Sequence, residues 1–499
     1  MGIKRVVPAL SGLFKNQTTK KRPTTMMTTD LRNAKPEIDN ALNQIVRLLR
    51  DLLPAGSFGD RERAALELSN EAVRRVVHDE LQDIADGFGD LVQYRGQRYR
   101  RHQPGSVCYF SLCGDCEVSR YSYRLIGVHN GPTIIPLELE AGILSRATPE
   151  LARNVAHGYG EHDMRQHGEL LEKAHRLPPP RATLERMAKA LAKEVITELP
   201  YIEPKIRCLE AVPPAAQGIV VGIDRTSAPM AEPSTKRKPI RKQPYQRRAP
   251  EPVEVNYRMA YVATMTLVDE LGEALVTRRY AIEASDSEQE MVARAMADVR
   301  HALRRRSDLR VAVIQDGAPE MWNLVRPELQ AIRSRGVLVK CYEAIDFCHL
   351  IERLGEALEL IGCETRQWQL QVWRQSLADD DTAIDTIARY LRFHRNDAKT
   401  SERLKKLNEH ITYIENNNDR MRYQTLRAQG MPIGSGITES ACKTVVNMRA
   451  KGAGQRWSVP GLRGTLHLRA LNASDRFDDF WAHFSKSHIA NVNNCAHAA

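Results

Sequence analysis

Residues 218–224 read GIVVGID and residues 309–316 read LRVAVIQD. Both are short, almost wholly apolar runs that end in an aspartate. Continuous apolar runs of this length suit strands buried on both faces. Between them lie NYRMAYVATMTLVD (256–269) and EALVTRRYAIEA (273–284), joined by the turn Asp269-Glu270-Leu271-Gly272. The pattern predicts three strands in an antiparallel meander. Working outward, a helix is expected over 286–306, a strand at 309–316, a helix from Pro319, and a last short strand in GVLVKCY (336–342).

The order β-β-β-α-β-α-β, a mixed sheet covered by helices, is the outline of an RNase H-like α/β fold. In such a sheet the first and fourth strands are neighbours, so Asp224 and Asp316 would meet at one edge of the core. Hard carboxylate oxygens at that edge suit Mg²⁺. Strands also end in Asp simply to form a turn, and Asp316-Gly317 fits that bland reading as well. Residues 346–430 carry a helical, charged pattern without strand signal, so an all-helical insertion is expected there. Beyond it, MPIGSGITESACK (431–443) places a Gly434-Ser435-Gly436 loop ahead of Glu439 at the start of a new helix. An acid in a first helical turn also complements the helix dipole. The catalytic core is expected over 216–345 and 431–485, with a flexible C-terminus at 486–499.

The chain has 499 residues, 73 Lys+Arg against 62 Asp+Glu, and a net charge of +11. The excess is localised. Residues 1–37 are net +6, and residues 231–250, with Lys236, Arg237, Lys238 and Arg241, are net +6 again. Residues 440–469 hold Lys443, Arg449, Lys451, Arg456, Arg463 and Arg469 and no acid. Localised positive charge is what a polyphosphate partner needs, because each neutralised phosphate releases a counterion. No apolar run is long enough for a membrane span, and the basic, Thr-rich N-terminus lacks the apolar core of a secretory signal. P-loop and G-x-G-x-x-G fingerprints are missing, so no nucleotide cofactor is expected.

A disordered basic segment is expected over 1–36, then a mostly helical N-terminal DNA-binding region over 37–215. Helical periodicity runs through 37–54 and 61–86, and YFSLCGDCEVSRYSYRLI (109–126) reads as a β-hairpin. Residues 149–195 have the outline of a helix-turn-helix, with the helix from Arg181 as its candidate reader of DNA; ordinary helical packing gives the same pattern. Nine cysteines, an odd number, suggest free thiols in a reducing cytoplasm. Cys108, Cys113 and Cys116, with His102 and His129 nearby, offer only a half-site, and zinc is not expected.

The blocks VGIDRTSAPM, VIQDGAPEMWN, DFCHLIERL and GSGITESACKTVVNMRAKGAGQRWS resemble bacterial insertion-sequence DDE transposases of the ISKra type. The resemblance covers about residues 85–480 and is densest from 218 to 460. It implies that Asp224, Asp316 and Glu439 are catalytic and hold two Mg²⁺ (or Mn²⁺) ions, about 3.5–4 Å apart in two-metal sites. It implies phosphate contacts at Lys443, Arg449, Lys451, Arg456 and Trp457, and it matches Asp346 and His349 to the family's D-F-x-H block. Asp346 fits a helix N-cap equally well. The implied partners are double-stranded DNA, as terminal inverted repeats and target, and further copies of the chain. The implied location is the bacterial cytoplasm, on the nucleoid. One departure is plain: YRLIGVHNGPTIIPLE (123–138) lacks the Cys pair that members often carry there. A catalytically inactive DNA-binding derivative, and an RNase H-like nuclease or resolvase without joining activity, are the competing readings.

Overall fold

The computed structural model describes residues 35–234, 253–283, 288–334 and 341–495. All but the last two residues of the expected disordered N-terminus lie outside the described residues, as do Lys236, Arg237, Lys238 and Arg241. The chain divides into two compact units, Met1–Leu191 with Trp481–Ala499, and Ala192–Phe480.

The first unit begins with helices α1 (Lys35–Asp51) and α2 (Phe58–Asp86). Ser57 and Asp60 form a capping box at the start of α2, each side chain accepting the other's backbone N–H. Strands β1 (Leu91–Tyr94), β2 (Gln97–Ser111), β3 (Gly114–Leu125) and β4 (Thr133–Ile134) follow as an antiparallel sheet. The hairpin is longer than the aromatic pattern implied, because polar, Arg-rich sequence extends β2 toward its N-terminus. Near its closed end, Tyr109, Cys116 and Val118 pack under Leu81 of α2. Near its open end, Val92, Tyr99 and Tyr123 form a second small core with Phe88 and Val492. Of the expected flexible tail at 486–499 the described part, to Cys495, is structured: a helix runs to Ser487 and Asn493–Asn494 pairs with β1. Val492 anchors it apolarly, and Asn494 bonds Gly89 and Gly87.

Helices α3 (Pro136–Glu140), α4 (Pro149–Glu161), α5 (Met164–Lys173) and α6 (Arg181–Leu209) complete the series. The expected boundary at 215 moves: the units divide within α6, at Leu191. That helix also continues past the anticipated stop at 195, through Pro200 and Pro204. Val195, Leu199, Ile202 and Ile206 are buried along one face, and tertiary burial outweighs the proline penalty of about 3 kcal/mol.

The second unit is built on strands β5 (Gly218–Pro233), β6 (Val253–Val268), β7 (Ala274–Glu283), β8 (Arg310–Gln315) and β9 (Cys341–Ile345). Their order is β7-β6-β5-β8-β9. The first three form the antiparallel meander, and β8 and β9 run parallel to β5. The last described strand covers 341–345, pairing Val311–Gln315 with Cys341–Ile345; of the expected strand at 336–342 only Cys341 and Tyr342 lie within the described residues. Helices α7 (Glu288–Arg305) and α8 (Pro319–Ser334) cover one face, with Met291, Val299, Trp322 and Val325 against Ile219, Val221 and Ile223. The insertion, α9 (Phe347–Leu360), α10 (Arg366–Asp379), α11 (Ala383–Phe393), α12 (Ser401–Asn417) and α13 (Tyr423–Ala428), extends that same core. On the opposite face lie α14 (Gly436–Ala441), a π-helical turn (Cys442–Asn447), α15 (Met448–Ala450) and α16 (Val459–Ala473). Ala441, Val445, Val446 and Leu466 pack there on Ala228, Ala260 and Val262. Among the described residues no helix is long and apolar enough to cross a membrane.

Candidate active site

Strand alternation sends Ile219, Val221 and Ile223 to the α7/α8 face, so Asp224 belongs to the face that carries α14. The pairing of β5 with β8 holds a constant offset of 92, from Gly218 against Arg310 to Val221 against Val313. The same offset separates Asp224 from Asp316. Between β8 and β9 the offset is 30, from Val311 against Cys341 to Gln315 against Ile345. The same offset separates Asp316 from Asp346. The three aspartates therefore fall in one register: Asp316 and Asp346 directly follow β8 and β9, and Asp224 lies partway along β5, which runs on to Pro233 instead of ending at the aspartate as its apolar run suggested.

Each of the three has local partners. Asp224 accepts the Arg225 N–H at 2.7 Å and the Cys442 thiol. Burial raises its carboxyl above the ordinary value, and the charge of Asp316 adds to the rise. Asp316 accepts the Ala318 N–H at 3.0 Å, and its carbonyl accepts the Tyr413 hydroxyl of α12 at 2.7 Å. Gly317 has φ +87° and a Cβ there would lie 2.6 Å from that hydroxyl, so the insertion can close on the second aspartate only over a glycine. Asp346, 2% exposed, caps α9 by accepting the His349 N–H at 2.6 Å, and its other oxygen accepts the Ser435 N–H. The D-F-x-H block thus ties the start of α9 to the glycine loop before Glu439. Arg353 bridges His349, at 3.2 Å, and the Tyr413 ring, 4.1 Å from its centroid.

Glu439 is carried on α14, and the seat of that helix is set by Gly222. A Cβ on Gly222 would lie 2.0 Å from the Thr438 hydroxyl. That hydroxyl is instead hydrogen-bonded to Thr264 of β6 at 2.8 Å. Sequence reading missed this contact, although a glycine inside a strand is a signal of close backbone approach. Glu439 accepts the Ser435 hydroxyl at 3.3 Å. One turn on, Cys442 lies between the acids: burial first, then the charges of Asp224 and Glu439, push its thiol well up. The π-turn begins at this cysteine, and such turns are frequent at functional sites.

Asp224, Asp316 and Glu439 are thus gathered about one end of the sheet, and none forms an ion pair with a Lys, Arg or His among the described residues. Their hard oxygens and missing counter-charge suit a divalent cation. Among the described residues no three His, Cys, Asp or Glu side chains are grouped as a metal would need. Each acid instead meets a local donor: the Arg225 N–H, the Ala318 N–H and the Ser435 hydroxyl.

Of the basic tail, Lys443, Lys451 and Arg456 are exposed, and Lys451 donates to the Thr226 hydroxyl at 2.9 Å. Arg449 and Trp457 are buried against each other, 4.8 Å from guanidinium to ring centroid. Trp457 donates to the Ala450 carbonyl and pairs with the end of β5 through Pro229 and Ala231. These two pack the site's support rather than present a surface to phosphate. In the insertion Trp373 is likewise buried, edge-on to Tyr390, whereas Trp368 is 65% exposed. In the first unit Cys113 and Cys116 are buried thiols directed at Asn70 and the Arg74 carbonyl, and burial pushes Cys116 up to about 11. No protein-family model matches this chain, and no curated protein matches it.

Proposed function

We propose that the chain is a DDE transposase of an insertion sequence, with an RNase H-like catalytic core in the second unit. The observation that carries the reading is the shared register of Asp224 and Asp316 on neighbouring parallel strands, with no ion-pair partner for either among the described residues, and Glu439 seated beside them through Gly222 and Cys442. The sequence blocks that resemble the ISKra type centre on these same three acids. Asp224, Asp316 and Glu439 would hold two Mg²⁺ or Mn²⁺ ions. When bound there, the ions supply Lewis acidity for water activation and for the departing oxygen.

The chain's own residues do the rest. Asp346 fixes the loop that carries Glu439, and Tyr413 fixes the backbone of Asp316. Lys443, Lys451 and Arg456 offer charge to the phosphates of an element end. Hydrolysis forms a new bond from water oxygen to phosphorus, breaks the phosphorus–O3′ bond and frees a 3′-OH. That hydroxyl then attacks a target phosphodiester, displacing its 3′ oxygen. DNA ends and target are the substrates, and bringing two ends together calls for a multimer.

Asp316→Asn tests the reading. It should remove Mg²⁺-dependent strand cleavage by about a thousandfold or more, consistent with several kcal/mol of lost charge stabilisation, while DNA binding persists. Equal cleavage by both proteins contradicts it. Supplying a pre-cut end with a free 3′-OH separates a transposase, which joins it to a plasmid, from a nuclease, which does not.

A further inference from the structure

We propose that the outer face of the first unit's sheet is a DNA-backbone platform, built by Arg98, Arg100 and Arg124 with Arg95 at its rim. This deepens the transposase reading and rests on it for the choice of DNA as partner.

The β-register defines the face. Arg100 pairs with Leu91 on β1 and with Arg124 on β3, and Arg124 pairs in turn with Thr133 on β4. Arg98 pairs with Gln93. Directly opposed residues share a face, so Arg98, Arg100 and Arg124 stand together with Gln93 and Thr133. Val92, Tyr99 and Tyr123 point the other way, into the small core. Arg98 and Arg100 are exposed and Arg124 is half-buried. Arg95 is exposed in the β1–β2 turn, with φ +49°.

Two like charges directly across a ladder are unfavourable, and nothing nearby relieves the Arg100–Arg124 pair. Residues 91–114 contain four arginines and no carboxylate. None of Arg95, Arg98, Arg100 and Arg124 has an ion-pair partner among the described residues, and Arg124 Nε has no hydrogen-bond partner. Arginines elsewhere in this unit behave differently. Arg101, on the core face, pairs with Asp90 at 3.2 Å, Arg120 with Glu138 at 3.5 Å and Arg74 with Glu71 at 2.6 Å. Even Arg181, which opens the candidate DNA-reading helix, is tied to Glu185 at 2.9 Å. At the open end of the sheet, a face whose paired residues Leu91, Gln93 and Thr133 carry no acid, and whose guanidinium groups form no ion pair among the described residues, has the charge of a phosphate-backbone contact. It makes the sheet, rather than the helix from Arg181, the anchoring surface of this unit. Such contacts position a protein on DNA without reading sequence.

The test compares full-length protein with Arg98→Gln/Arg100→Gln/Arg124→Gln and with Lys at the same three positions. Anisotropy is measured on a labelled mixed-sequence duplex of about 30 base pairs across a salt series. The Gln variant should bind at least tenfold more weakly at ~0.1 M salt, with a log–log salt slope shallower by about 2.7, three phosphate contacts' worth. The Lys variant should retain most binding, since a phosphate accepts either cation. Wild-type affinity and slope in the Gln variant overturn the proposal, as does equal loss in both variants. Cleavage by Asp316→Asn is read separately, so failure of the platform leaves the catalytic reading standing, and the reverse.

Discussion

Asp298 and Asp224 are aspartates in the same unit, both withdrawn from solvent, and their surroundings drive them in opposite directions. Around Asp298 burial alone would raise the carboxyl, but Arg476 and Arg207 more than offset it and hold it below its ordinary value. Arg476 also reaches Glu210 at 2.5 Å and the Tyr280 hydroxyl at 2.6 Å. Glu203 and Glu283 are matched in the same manner by Arg294 and Arg463, at 2.6 and 2.5 Å. Around Asp224 burial raises the carboxyl and the charge of Asp316 adds to the rise, which the Arg225 N–H, the Cys442 thiol and the Arg225 charge only partly offset. One acid cluster carries its own cations and holds helices together. The other forms no ion pair among the described residues, and that asymmetry is why it reads as a site.

The matched cluster gives the larger stability effect. Arg476→Ala takes one of two arginine partners from both Asp298, which keeps Arg207, and Glu210, which keeps Arg278, and should cost about 3 kcal/mol in urea unfolding. Acid should act in the same direction. Because the folded carboxyl of Asp298 is depressed, its contribution is complete above the unfolded value of about 4 and is lost as pH falls through the folded value. The urea midpoint should therefore drop on acidification from pH 6 to pH 3, and drop less in Arg476→Ala. A midpoint indifferent to the substitution would show that the network is ornamental.

Next comes the seat of the third acid. Gly222→Ala drives a methyl into the Thr438 hydroxyl and should cost about 1–3 kcal/mol of overpacking. It should also slow cleavage by displacing Glu439. Thr438→Ala in the same chain should recover part of both, a coupling that a double-mutant cycle measures. Additive losses would mean that the two residues do not meet.

The smallest effect should have the opposite sign. Asp224→Asn removes a carboxylate that burial and Asp316 both disfavour, so without metal or DNA the variant should melt slightly higher, by about 0.5–2 kcal/mol. A lower melting temperature would mean that Asp224 stabilises the fold and is not strained by it.

Much of this contrast was legible in the sequence. Apolar runs closed by Asp224 and Asp316 located both strands and the carboxyl end of β8, since β-strand burial on two faces writes itself as an unbroken apolar string; the run of β5 beyond Asp224 to Pro233 was hidden by its polar residues. The helical insertion was legible by its periodicity and the loop before Glu439 by its glycines. The matched acids were not, because Glu210, Asp298 and Arg476 are far apart in the chain and no spacing relates them. Burial of Arg449 and Trp457 was also hidden: a basic stretch looks the same whether its arginines face solvent or stack under a tryptophan. The path of α6 through Pro200 and Pro204 was lost for a related reason, since only tertiary burial outweighs the local proline signal.

The most direct test of metal-borne catalysis at the unmatched cluster is strand cleavage by Asp316→Cys in Mg²⁺ and in Mn²⁺. A thiolate is a poor ligand for Mg²⁺ and a better one for softer ions. The variant should be inactive in Mg²⁺ and regain measurable cleavage in Mn²⁺, while wild type cleaves in both. Full activity of the variant in Mg²⁺ would contradict the assignment of Asp316 as a ligand and, with it, the proposed chemistry.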